Sequence, residues 1–85
     1  MIERTQVEVR MRIGAECFDH VVNLGSRIES GPAAEWAAER VARFYRGLGG
    51  RIERVRWRRA TDWWPGYVTR SEWVAAEWPR QPKAE

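Results

Sequence analysis

The chain has 85 residues, with 15 Lys and Arg against 12 Asp and Glu, a hydrophobic share of 44% and a charged share of 32%, which is the composition of one small folded domain. It has no run of about 18 apolar residues, so a membrane-spanning helix is excluded. Its single cysteine, Cys17, leaves neither an internal disulfide nor a four-thiolate zinc site.

The N-terminal Met1-Ile2-Glu3-Arg4 has no apolar core and no small-residue cleavage site, so the chain reads as unexported and cytoplasmic. Residues 5–13 alternate strictly. Val7, Val9, Met11 and Ile13 fall on one face, and Gln6, Glu8, Arg10 and Arg12 on the other, the pattern of a half-buried strand. Gly14-Ala15-Glu16 is a turn, and residues 17–24 form a second strand antiparallel to the first, with Phe18, His20, Val22 and Leu24 towards the core.

Residues 25–31 read as a loop ending in the cap of a helix, with Pro32 at its first position, where the missing N–H costs nothing. Ala33, Ala37, Val41, Phe44 and Leu48 recur at helical spacing, flanked by Trp36 and Tyr45, and Gly47, Gly49 and Gly50 end the element. A third strand covers residues 51–59, with Glu53, Val55 and Trp57 on one face and Arg54, Arg56 and Arg58 on the other. Ile52 is out of phase with Val55 and Trp57, which predicts a bulge or a late strand start. After an aromatic turn, Trp63-Trp64-Pro65-Gly66-Tyr67, the run Thr69-Arg70-Ser71-Glu72 matches a capping box and predicts a short C-terminal helix stopping at Pro79.

A right-handed strand, helix, strand crossover places the third strand beside the first. The expected fold is therefore α+β: a three-stranded sheet, β-β-α-β in order 2-1-3, with one main helix on one face and a short C-terminal helix. It forms a single domain over residues 1–80 and a flexible tail over 81–85. Trp36 and Trp57 are expected between helix and sheet, and Trp73 or Trp78 over its open end.

Charge is uneven along the chain. Residues 1–50 hold seven Arg and seven acids, whereas 51–85 hold eight basic residues and five acids, so the whole excess of +3 lies in the second part. In order 2-1-3, Arg10 and Arg12 come beside Arg54, Arg56 and Arg58 on the face away from the helix, with Glu8 offering partial compensation. Like charges on neighbouring strands are best tolerated where water or an anionic partner screens them. Arginines interleaved with tryptophans are also the composition of surfaces that hold nucleic acid through phosphates and stacked bases.

The expected function is that of a small non-enzymatic binding protein, needing no cofactor. Arg10, Arg12, Arg54, Arg56, Arg58 and Arg59, with Trp63 and Trp64 at the edge, would contact a nucleic-acid backbone. The alternative is a protein-interaction module, docking on an acidic or nucleic-acid-binding surface or on a second copy of itself. In general character such a chain resembles small phage or mobile-element inhibitors, such as anti-CRISPR proteins, and immunity proteins. A metal site at Cys17, Asp19 and His20 is disfavoured, because in a strand His20 points away from the other two. Glu35 and Glu39 read as solvated ion-pair partners. The Gly25–Gly31 loop at the helix start could offer one phosphate contact.

Overall fold

The computed structural model describes residues 1–25, 30–76 and 78, with Ser30 described by its backbone alone. Among these residues, five strands and one helix follow in the order β1 (Ile2–Ile13), β2 (Glu16–Gly25), α1 (Ser30–Tyr45), a 3-10 turn (Arg46–Leu48), β3 (Arg51–Trp63), β4 (Tyr67–Arg70) and β5 (Val74–Ala76). All the pairings are antiparallel. They give a curled half-barrel in which β2-β1-β3-β4 are neighbours and β5 shares the outer edge of β3 with β4.

β1 forms because its alternation matches the pleat, and it is central because it pairs along nearly its whole length on both sides. The β1–β2 hairpin closes on Gly14-Ala15, with Gly14 at φ 59° and no non-glycine residue at positive φ. This is the sign pattern of a turn with glycine in its first central position. The expected placement of β3 beside β1 holds, and the phase break at Ile52 is a bulge rather than a late strand start. The β1–β3 register shifts between Arg10 and Met11, leaving Glu53 as the extra residue between Arg54 and Ile52.

The three-stranded sheet with a C-terminal helix is corrected: residues expected as a capped helix form β4 and β5. A 13-residue β3 has a free backbone edge beyond β1, and the returning chain satisfies it. The side chains read as a capping box serve that edge instead. Thr69 Oγ1 accepts the Trp63 indole N–H at 2.8 Å. Ser71 is bonded twice to the Arg59 backbone, its N–H to the carbonyl and its Oγ to the amide, both at 2.9 Å. The tail expected over residues 81–85 lies outside the described residues, as does most of the loop at the helix start.

The helix also sits differently from its expected stripe. Its buried residues are Ala33, Ala34, Ala37, Ala38 and Val41, the last four packed on Val7, Val9, Met11 and Val55. Small side chains let the helix axis approach the sheet closely, so the alanine stripe turns inward. Phe44 and Leu48, expected in the core, are left 74% and 63% exposed, and Trp36 is half exposed rather than buried. Trp57 and Trp78 pack at the margin of the core. The helix ends where Gly49 takes φ 71° and Gly50 passes so close to Tyr45 that a Cβ there would stand 2.7 Å from the Tyr45 Cβ.

Candidate functional site: the arginine face

The register assigns each side chain of the face away from α1 to a row across the sheet. One row runs Asp19, Arg10, Arg54; the next Val21, Glu8, Arg56, Ala75; the next Asn23, Gln6, Arg58; and the last Gly25, Arg4, Ala60, Arg70. Arg10, Arg54, Arg56 and Arg58 are thus brought together. Arg12 shares the face but is tied at its end to Glu53, the bulge residue, at 2.5 Å. Arg59 projects from the opposite face, in register with buried Thr5, and reaches Glu3 at 3.3 Å.

The face is organised by two acceptors on β1. Glu8 Oε1 accepts Arg56 Nε at 2.6 Å and Arg54 Nη2 at 3.0 Å, while Oε2 accepts Arg56 Nη2 at 2.9 Å. The Arg56 contact is the two-pronged guanidinium–carboxylate geometry. Gln6 Oε1 accepts Arg58 Nε at 2.7 Å, and Gln6 Nε2 donates to Asn23 Oδ1 at 3.0 Å. Trp73 then lies over the guanidinium groups, its ring centre 4.2 Å from Arg58 Cζ and 4.6 Å from Arg56 Cζ. Under this cover Glu8 and Gln6 are buried, although no helix among the described residues packs on them.

The electrostatic consequences are directional. The hydrogen bond from Arg56 holds the Glu8 carboxyl below the ordinary carboxylate range, against the opposing effect of burial. Burial, followed by the like charges of Arg70 and Arg56, pushes the Arg58 guanidinium down. Arg58 bonds a neutral amide, and Arg70 has no hydrogen-bond or ion-pair partner among the described residues. Arg10 donates to Cys17 Sγ at 3.0 Å, and Cys17 Sγ lies 3.5 Å from Glu53 Oε1. Arg4 and Asp62 form an ion pair beside Ala60.

Trp63 and Trp64 do not join this face. Trp63 stacks on Tyr67 with planes 11° apart, on the opposite side, and Trp64 stands 89% exposed at the tip of the β3–β4 hairpin, near exposed Met1 and Ile2. Sequence reasoning missed Arg70 and the position of Trp73, because it read 69–78 as helical. The β-branched and aromatic run Tyr67-Val68-Thr69 was the available strand signal. It also missed an apolar groove of about 500 Å³ between β2 and α1, lined among others by His20, Val22 and Leu24 from the strand and Trp36, Arg40 and Phe44 from the helix. His20 points into this groove against Tyr45, away from Cys17 and Asp19. Among the described residues no three potential ligands gather around a metal position.

No helix among the described residues is long and apolar enough to cross a membrane. Comparison with protein-family models, with curated proteins and with solved structures finds no match to this chain.

Proposed function

We propose that this chain is a binding protein that holds nucleic acid through its phosphates on the open sheet face. The observation that carries the reading is a charge imbalance fixed in place. Seven arginines, Arg4, Arg10, Arg12, Arg54, Arg56, Arg58 and Arg70, share the face with four carboxylates, Glu8, Asp19, Glu53 and Asp62, and Arg4 and Arg12 are taken up by Asp62 and Glu53. Glu8 and Gln6 orient three of these guanidinium groups from beneath, so part of the ordering cost of a phosphate contact is met before binding. An anion near Arg58 and Arg70 would also relieve the crowding of like charge between them.

Trp73 is engaged by its own arginines, so phosphate contact rather than base stacking dominates the central face. Such binding is insensitive to sequence and steeply weakened by salt. A second reading, docking on an acidic protein surface, is favoured by the exposed Trp64, Tyr67, Met1 and Ile2 at one end of the sheet.

The test is binding to single- and double-stranded oligonucleotides across a salt series. About three to five phosphate contacts give a slope of log K against log salt of roughly −3 to −4.5 on duplex. Arg58→Glu and Arg70→Glu are each expected to weaken binding equally for unrelated sequences. Absence of binding at low salt, or a slope unchanged in these variants, overturns the nucleic-acid reading and leaves the acidic protein surface.

A further inference from the structure

The outer edge of β2 has no partner among the described strands, and its only charged residues are Glu16 and Asp19. Its ten residues contain no Lys and no Pro, and all ten pair with β1 in unbroken register without a bulge. Its pleat is therefore regular enough to accept another strand. The adjoining groove leaves Phe44 and half of Trp36 exposed, beside a core in which five of the ten buried hydrophobic residues are alanine.

We propose that β2 pairs antiparallel with β2 of a second copy of this chain, about a two-fold axis at Val21. The argument for a second copy lies in the self-complementarity of the strand at that register. Phe18 comes opposite Leu24, His20 opposite Val22, and Val21, 48% exposed, opposite itself. Asp19 comes opposite Asn23, twice in each dimer.

The last pairing is the most specific. Asn23 Oδ1 already accepts the Gln6 amide at 3.0 Å, which fixes the side-chain amide so that its NH₂ group is left to donate. Asp19, exposed on the same face, makes no hydrogen bond among the described residues. Directly opposite residues of an antiparallel pair have Cβ atoms about 4.5–5.5 Å apart, within reach of this bond. Neighbouring registers are poorer. An axis at Asp19 sets two carboxylates against each other, and an axis at His20 opposes two imidazoles and puts Glu16 against Leu24.

The pairing makes one ten-stranded antiparallel sheet from two five-stranded ones. Both helices lie on one side and both arginine faces on the other, and the two apolar grooves merge across the axis. It is a symmetric interface, in which each patch is its own partner. The inference does not rest on nucleic-acid binding.

Sedimentation equilibrium of the purified chain, without nucleic acid, is expected to give twice the chain mass of 10.0 kDa at micromolar concentration. Asn23→Asp keeps the acceptor for Gln6 and sets like charges opposite each other, so it should weaken association about tenfold or more. The double variant Asp19→Asn with Asn23→Asp exchanges the partners and should restore it. Far-UV circular dichroism, unchanged in all three proteins, separates association from folding, since both positions are exposed. A monomer over the whole range overturns the proposal and leaves the edge to a strand of another protein. A dimer indifferent to Asn23→Asp, or one that the double variant fails to restore, overturns this register.

Discussion

The two faces of this one sheet are closed by different chemistry. On the helix side, Val7, Val9, Met11 and Val55 meet an alanine stripe, and the contact is apolar and close. On the other side no element of secondary structure among the described residues lies over β1, yet Glu8 and Gln6 are buried. There the cover is a layer of arginine stems and the Trp73 ring, held by hydrogen bonds to the residues it covers. The difference teaches that burial on the arginine face depends on charge and on partners, whereas burial on the helix face depends on volume.

That contrast is sharpest at Met11, among the largest fully buried side chains. Met11→Ala removes apolar volume between its cross-strand partners Phe18 and Ile52, which the strand register holds in place. Urea unfolding should show a loss of about 2–4 kcal/mol, independent of salt and nearly independent of pH between neutrality and pH 5. A loss below about 1 kcal/mol would mean that the helix face is loosely packed and that the comparison between the faces fails.

The matching substitution on the other face, Glu8→Gln, preserves volume and removes charge. It leaves Arg54 and Arg56 partly exposed without their carboxylate, and about 1–2 kcal/mol is expected to be lost at pH 7. The pH dependence follows from the direction of the Glu8 shift. Its pKa is lowered in the folded state, so its contribution is full above the unfolded value of about 4.3 and disappears as pH falls through the lower folded value. Stability measured from pH 6 down to pH 3 should therefore fall less steeply in Glu8→Gln than in the parent. Glu53, also lowered by its bond from Arg12, keeps part of the slope in both proteins.

The same division explains what could be read in advance. The strict alternation of residues 5–13 sufficed to separate the two faces of β1, and the phase of Ile52 against Val55 marked a break that was either a bulge or a late strand start, because both are local properties of a pleated strand. The gathering of arginines followed once β3 was placed beside β1. Two things were not legible. Which stripe of the helix turns inward depended on how closely it could approach the sheet, which favours alanine over Phe44 and Trp36. The fate of residues 67–76 depended on a free edge of β3 whose length local signals did not reveal. Thr69 and Ser71 can cap a helix or serve a strand edge, and only the long-range pairing decides between them.

Trp73 and Trp64 carry the comparison to its smallest effect, within a single residue type. Trp73 bridges Arg56 and Arg58 and shields Glu8 and Gln6, so Trp73→Ala should cost about 1 kcal/mol and raise the salt sensitivity of stability as the ion pairs beneath become wet. Trp64 stands clear of the sheet, and Trp64→Ala should change stability by less than about 0.5 kcal/mol in thermal unfolding. If Trp64→Ala is the more damaging of the two, the cover over the arginine face contributes little and its buried acceptors must be held by the arginines alone. The expected order instead makes Trp73 part of the scaffold that aims the cations, and leaves Trp64 as the aromatic group free to meet a partner.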